Sequence, residues 1–170
     1  MEMEKGFSLA EVLVYLSILT VVLLILIGSL IMMAQVQERV VAGKALERSA
    51  VISLDRFLRE VRLSDSICRA GSVFDESESV LVLNNESVFG GIRFYTDNGS
   101  LYIEKEGLTH RLTHKNTEVR EFIITEIESG GIESIRVEVV LEHPYSDGSV
   151  EQRFFTTAIL RGSYENHKDF

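Results

Sequence analysis

The sequence predicts an α+β fold in which a long N-terminal helix packs on an antiparallel β-sheet. Residues 12–34 form an apolar run of 23 residues without a charge. Apolar residues then recur at intervals of three and four up to about residue 64, which is the period of one helix face. Beyond residue 70 apolar and polar residues alternate, which is typical of half-buried strands.

The apolar run is long enough to cross a membrane. At about 1.5 Å per residue it spans roughly 35 Å, more than the hydrocarbon core of about 30 Å. A cleaved secretory signal would have a basic start and an apolar core of only about 7 to 15 residues. This chain starts MEMEKG and its run is longer. The run is therefore predicted to be a transmembrane helix.

After the apolar run the helix is predicted to continue as an amphipathic segment to about Ser64. Its apolar stripe comprises Val36, Val40, Leu46, Ala50, Leu54, Phe57, Leu58 and Val61. Charged residues occupy much of the remainder, and pairs such as Arg56 and Glu60 are expected to be exposed, each contributing about a few tenths of a kcal/mol. The stripe requires an apolar surface to pack against, which the following strands can supply.

Seven strands are expected in the rest of the chain. They cover residues 79–83, 92–96, 101–105, 109–113, 121–127, 135–141 and 153–160. The segments between them carry turn-forming residues, namely Asp97-Asn98-Gly99, Glu106-Gly107, Gly130-Gly131 and residues 144–148. Short connections favour hairpins, so the sheet is expected to be antiparallel.

Charge and cysteine content limit the possible functions. The formal net charge is -9 and the pI is near 5.0, and no basic stripe is evident, so direct nucleic-acid binding is not expected. The single cysteine, Cys68, rules out an intrachain disulfide. It is expected to be a small buried hydrophobe, with interchain pairing as the alternative.

No catalytic or metal-binding motif is found in the sequence. His110 and His114 are four residues apart, but a strand separates such residues by about 13 Å, too far to chelate one ion. The acidic run 75–78 and the turn 97–99 carry oxygen ligands for Ca²⁺, but neither has a complete calcium-loop pattern, and solvated loops are favoured. No phosphate, nucleophile or dinucleotide motif is present. The chain is predicted to be no enzyme and to need no cofactor or metal.

Glu11 is the feature that the membrane segment does not explain. A carboxylate at the edge of an apolar run is costly if it enters the bilayer core, so such a residue suggests a functional site with a partner. The alternative is that Glu11 lies in the headgroup region and favours the positive end of the helix dipole. Helix physics alone leaves both interpretations open.

The stretch KGFSLAEVLVYLSILTVVLLI resembles the prepilin signature of type IV pilins and type II secretion pseudopilins. The resemblance implies cleavage between Gly6 and Phe7 by the prepilin peptidase, which then methylates the new amino terminus of Phe7. It also implies that Glu11, the fifth mature residue, pairs with a subunit's terminal amine, either its own or a neighbour's. The stretch 54–67, LDRFLREVRLSDSI, resembles the helix end of minor pilins and J-type minor pseudopilins.

The same resemblance implies a division of the chain and a role. Residues 1–6 would be the leader, 7–34 the transmembrane and filament-core helix, 35–68 the amphipathic helix, and 69–170 a β-sheet domain with a short polar tail. The chain would be a pilus or pseudopilus subunit of the minor class, held in the inner membrane with residues 69–170 outside the cytoplasm. Its partners would be the peptidase, other subunits, the inner-membrane assembly platform and the lipid bilayer.

Two features depart from the family pattern. The leader is not clearly basic, so the orientation rests on the resemblance and not on charge. Many major pilins carry a proline within the apolar helix, whereas this chain has Gly28 at that depth. Gly28 is expected either to soften the helix locally or to allow a close packing contact.

The alternative function is a permanently anchored single-pass protein whose β domain senses or binds a ligand.

Overall fold

A computed structural model describes residues 8–85, 90–129 and 132–161 of the chain. The chain divides into two compact units, Met1–Arg39 and Val40–Phe170. The helix α1 spans Leu9–Leu63, and a short 3-10 helix spans Arg69–Gly71. The strands are β1 (Ser66–Ile67), β2 (Leu81–Asn84), β3 (Ile92–Asp97), β4 (Ser100–Lys105), β5 (Leu108–Arg111), β6 (Glu118–Ser129), β7 (Ile132–Tyr145) and β8 (Gly148–Ile159). A long apolar N-terminal helix followed by antiparallel sheets confirms the predicted α+β class.

Side chains beyond the helix satisfy its last carbonyl groups. The Ser64 hydroxyl donates a hydrogen bond to the Glu60 carbonyl oxygen (2.7 Å), and the Asn85 amide donates to the carbonyl oxygen of Leu63 (3.0 Å). Such contacts replace the hydrogen bonds that a helix end lacks. The helix therefore ends next to the predicted Ser64, and residues 66–67 already belong to β1.

The first sheet has five antiparallel strands in the order β1-β2-β3-β4-β5. Two of the predicted turns connect its hairpins, with positive φ at Asn98 and Gly99 in one and at Glu106 and Gly107 in the other. Two successive residues of positive φ give the turn type whose twist matches that of paired strands. The turn chemistry read from the sequence is therefore confirmed at both positions.

The expectation of a single sheet is wrong, because β6, β7 and β8 form a second, three-stranded antiparallel sheet. After β5 the chain is fixed to the helix: the Ser53 hydroxyl donates to the carbonyl of Leu112 (3.2 Å), and the N–H of His114 donates to the Ser49 hydroxyl (3.1 Å). The chain then reaches the β3–β4 turn, where the N–H of Val119 donates to the Gly99 carbonyl (2.9 Å). Strand β6 consequently begins beside that turn and not beside β5.

The core of the unit Val40–Phe170 is centred on one helix side chain, Phe57. Its ring lies 4.9 Å from that of Phe94 in β3 and 6.4 Å from that of Phe122 in β6, centroid to centroid. All three side chains are at most 1% exposed. Phe57 therefore contacts both sheets, which gives the amphipathic helix its apolar partner surface.

The predicted apolar stripe is buried only in part. Leu46, Ala50, Phe57 and Val61 are buried, and Leu54 and Leu58 are partly buried against the same core. Val36 and Val40 are exposed, so their assignment to the buried stripe is wrong for the single chain. The β strands of the described chain provide burial only from Ala42 onward, which is where the first buried helix residue lies.

The pairing of Arg56 with Glu60 is confirmed, but the expectation that it is an exposed surface pair is wrong. The Glu60 side chain is 3% exposed and lies 2.9 Å from Arg56 Nη2 and 3.1 Å from Lys105 Nζ on β4. A carboxylate removed from water is tolerated when cations and hydrogen bonds compensate for the lost hydration. The two cations are partly exposed, so the group connects the helix to the first sheet at the boundary of the core.

Replacing Arg56 and Lys105 together by methionine is expected to lower the free energy of unfolding by about 2 kcal/mol, because the buried Glu60 carboxyl group would lose both cations that compensate for its burial. The expected loss is below that of a fully buried pair because both cations reach solvent. Urea unfolding followed by circular dichroism measures it. Adding Glu60→Leu should recover most of the loss, and a triple variant as unstable as the double one would contradict this account.

The stability of the second sheet is expected to depend on acid through Glu142. Hydrogen bonds from Arg120, and then from Ser149, hold the pKa of Glu142 below its ordinary value of 4.5. Because the folded chain releases this proton more readily, the contribution is complete above about pH 4.5 and is lost as pH falls through the lower, folded pKa. Glu142→Gln should flatten the fall of stability as the pH drops below about 4.5. The exposed Glu47→Gln is the control, and an equal flattening by both would contradict the assignment.

Candidate functional site

The helix in the unit Met1–Arg39 presents an uncovered apolar surface. Every residue from 8 to 39 is exposed, including a continuous series of Val, Leu, Ile and Met side chains. By length and composition this helix could cross a membrane. Soluble chains rarely expose apolar patches of more than a few hundred Å². An exposed apolar surface of this extent is typical of regions that contact a membrane or other molecules.

Glu11 lies in the first turn of α1, at the amino-terminal end of this surface. The N–H groups of Glu11 and Val12 donate to the Ser8 carbonyl at 3.0 and 3.2 Å. A carboxylate in the first helical turn is favoured by the positive end of the helix dipole. The side chain is exposed, so its oxygens remain accessible to an external cation.

Tyr15 is a neighbour of Glu11 that the sequence reasoning missed. Its hydroxyl lies 3.4 Å from Glu11 Oε1 and donates to it across one helical turn. At this length the hydrogen bond is weak, so it orients the carboxylate without neutralising it. The spacing of four residues between Glu11 and Tyr15 was the available signal.

Two other polar side chains of the apolar run form hydrogen bonds within their own helix. The hydroxyl of Ser17 donates to the Val14 carbonyl (2.7 Å) and that of Thr20 to the Leu16 carbonyl (2.8 Å). Such internal hydrogen bonds make hydroxyls compatible with lipid. Glu11 is then the one ionisable carboxylate between residues 8 and 37.

Three further positions near the amino terminus were predicted to have a role, namely Gly6, Phe7 and Gly28. Gly6 and Phe7, the predicted cleavage and methylation positions, lie outside the described residues. The helix runs through Gly28 without a break, and a Cβ added at Gly28 would meet no atom within 4 Å. Glycine therefore leaves a shallow open notch, which a neighbouring helix could occupy at close range.

The described histidines and acidic segments gather no set of ligands for a metal ion. Within residues 8–85, 90–129 and 132–161, no group of three or more His, Cys, Asp or Glu side chains is placed to hold an ion. His110 lies in β5 and His114 beyond it, as predicted. The two acidic segments do approach each other around a cavity of about 110 Å³, but Arg120 also lines it and supplies positive charge there. Cys68 is half-buried, and its N–H donates to the Val82 carbonyl (2.8 Å).

No family model, curated protein or solved structure matches the chain. The residues and their geometry alone therefore support a functional interpretation. They combine a helix able to span a membrane, one accessible carboxylate at its amino-terminal end, and a separate unit built from the amphipathic segment and two sheets.

Proposed function

We propose that the chain is a structural subunit, of the minor kind, of a type IV pilus or type II secretion pseudopilus. In this proposal the chain is cleaved after Gly6, methylated at the amino terminus of Phe7 and assembled by bundling of its helix with those of other subunits. The observation that carries it is the accessible Glu11 carboxylate at the end of an uncovered apolar helix. The resemblance of residues 5–25 to the prepilin signature supplies the reaction that would create its partner.

Cleavage and assembly would be connected by the charge of the new amino terminus. Cutting after Gly6 would create a positively charged amine four residues before Glu11 in sequence. A charge in an apolar surrounding is tolerated when it is paired, and an unpaired carboxylate there costs several kcal/mol. Pairing of Glu11 with a terminal amine would therefore fix the position of one subunit relative to another. Tyr15 would hold the carboxylate in place for this contact.

The location proposed for the chain follows from the same assignment. Before assembly, residues 7–34 would lie in the inner membrane and the β domain outside the cytoplasm; afterwards the chain would be part of the filament. The prepilin peptidase, other subunits and the assembly platform would be its partners. The role is structural, so no catalytic residue is assigned.

Intact-mass analysis of the chain extracted from membranes of its native cells tests the proposal. The expected mass corresponds to a chain that begins at a methylated Phe7. A chain that begins at Met1 would contradict processing and support a permanently anchored protein with a ligand-binding β domain.

Two glycine variants test whether cleavage occurs after Gly6. Gly6→Val should leave the chain uncut, because a side chain at the cleavage position blocks close approach of the peptidase to the backbone. Gly28→Val changes the same residue type in an open position of the helix and should be cut normally. Equal processing of both variants would argue against cleavage after Gly6.

A further inference from the structure

An open groove runs along the helix within the unit Val40–Phe170. It consists of two adjoining cavities of about 710 and 390 Å³, which share Ile52 and Leu112. One wall is the helix between Val41 and Arg59, and the other is β5 with the segment that follows it. The groove exists because the helix packs over β3 and β6 through Phe57, while every residue of β5 remains exposed.

The groove gathers positive charge in a chain whose net charge is -9. Four basic side chains line it, those of Lys44, Arg48, Arg56 and Arg59, and His110 and His114 lie on the opposite wall. The one carboxylate in the lining is Asp55. The expectation that the chain has no basic stripe is therefore wrong, since four of these side chains recur on one helix face and two histidines face them from the opposite wall.

The fold itself does not account for this stripe. Arg56 pairs with Glu60, but Lys44, Arg48 and Arg59 form no ion pair with any residue that the structure describes. Like charges four residues apart on a helix, such as Lys44 and Arg48, destabilise it by roughly 0.2–0.5 kcal/mol. An arrangement that costs stability and has no internal partner indicates an external one of opposite charge.

The middle of the groove is apolar. Ile52 is 56% exposed there, between the basic positions 48 and 56, and Leu112 lies on the opposite wall. An occupant would need an apolar side chain to cover Ile52 and acidic groups on both sides of it. Along the helix the stretch from Val41 to Arg59 measures roughly 27 Å, enough for several residues of a polypeptide.

From this geometry we infer that the groove is a docking site for an acidic segment of another protein that also carries apolar side chains. The acidic groups of the segment contact Lys44, Arg48 and Arg59, and an apolar side chain packs on Ile52. Charge complementarity gives such a contact its specificity and its association rate. The groove could serve either an assembling or a permanently anchored chain, so the inference does not depend on pilin processing.

Two other occupants fit less well. Nucleic acid would meet the repulsion of a chain with net charge -9, and none of the lining residues is a Phe, Tyr or Trp on which a base could stack. In a second copy, the backbone of the acidic run 75–78 is held against its own β6 by main-chain hydrogen bonds of Asp75 and Ser77, and the Asp75 carboxylate accepts a hydrogen bond from Thr125, so this segment is not free to lie along a groove. A different chain is therefore the better source.

Fluorescence anisotropy with the full chain in detergent tests the inference. The probe is a labelled peptide of about 18 residues, which covers the groove as a helix or as a strand, with Glu at half of its positions and Leu at a quarter. Binding is expected to weaken as salt rises, because exposed charge pairs are screened. A peptide in which Gln replaces every Glu should not bind. Failure of the acidic peptide to bind at low salt would overturn the inference.

Matched arginine variants locate the binding. Arg48→Glu with Arg59→Glu should weaken binding of the acidic peptide by roughly tenfold. Arg62→Glu with Arg93→Glu makes the same charge change at exposed positions outside the groove and should leave binding within about twofold. Equal loss in both pairs would show non-specific attraction and overturn the inference. Thermal unfolding of each variant checks that it is folded.

The apolar contact has its own control. Ile52→Ser should weaken binding, whereas Val51→Ser, at a neighbouring exposed position outside the groove lining, should not. Tighter binding of a DNA duplex than of the acidic peptide would assign the groove to nucleic acid instead. Self-association of the chain that is abolished by the Arg48 and Arg59 changes, without peptide binding, would assign it to a second copy. Either result overturns the inference.

Discussion

Replacing Glu11 by alanine is expected to leave cleavage after Gly6 nearly intact and to reduce incorporation of the chain into filaments by about tenfold or more. An effect of this size is expected when a buried charge pair loses one partner. Among the described residues, the variant removes the one accessible carboxylate in the first turn of the apolar helix. The terminal amine of a processed chain would then lack a partner in an apolar surrounding. The measurement is the fraction of the chain that sediments with sheared filaments, relative to the fraction left in the membrane.

Two further variants separate the charge of Glu11 from its other contacts. Glu11→Gln keeps the shape and the hydrogen bond from Tyr15 but removes the charge, so it should assemble as poorly as Glu11→Ala. Glu38→Ala removes an exposed carboxylate from the same helix and should assemble normally. Normal assembly of Glu11→Ala would remove Glu11 from the mechanism, even if the mass of the chain proves processing after Gly6.

Phe57→Ala is expected to lower the free energy of unfolding by about 3–5 kcal/mol, as for other large aromatic side chains removed from a core. Phe57 contacts Phe94 of the first sheet and Phe122 of the second, so the cavity left behind would adjoin both. Since the free energy of unfolding of a typical domain is only about 5–15 kcal/mol, this loss would be a large fraction of it. Denaturant unfolding of the extracted chain, followed by near-ultraviolet circular dichroism, measures it.

The control for Phe57 lies on the same helix. Val51→Ala truncates a side chain that is 59% exposed, and it should change the stability by less than about 0.5 kcal/mol. A small effect of Phe57→Ala, comparable with that of Val51→Ala, would mean that the helix is not anchored through this ring.

The sequence predicted local structure well because local periodicity and turn chemistry decide it. Each of the seven predicted strands overlaps an observed strand, and the turns at Asn98-Gly99 and Glu106-Gly107 have the backbone that their residues favour. The helix end at Leu63 lies within one residue of the prediction. The predicted turn at residues 144–148 was too long, because Pro144 belongs to β7, where it pairs only with Ser149 of β8.

The division of the strands into two sheets could not be read from the sequence. Alternation shows that a strand has a buried face but does not name its neighbour. The hydrogen bonds that fix residues 112–114 to Ser49 and Ser53 direct the chain away from β5. These contacts connect residues about sixty positions apart in the chain. No local pattern encodes them.

For the charged residues, too, some properties follow from the sequence and others only from the tertiary structure. The sequence alone determined that residues 12–34 can span a membrane and that the Glu11 carboxylate directly precedes them, because both depend only on the order of residues along the chain. Only the tertiary structure showed that Glu60 is buried between Arg56 and Lys105. It also showed that Arg59 lies with His110, and Lys44 and Arg48 with His114, along one groove. Burial and charge pairing depend on which distant segments meet, and that is decided by packing.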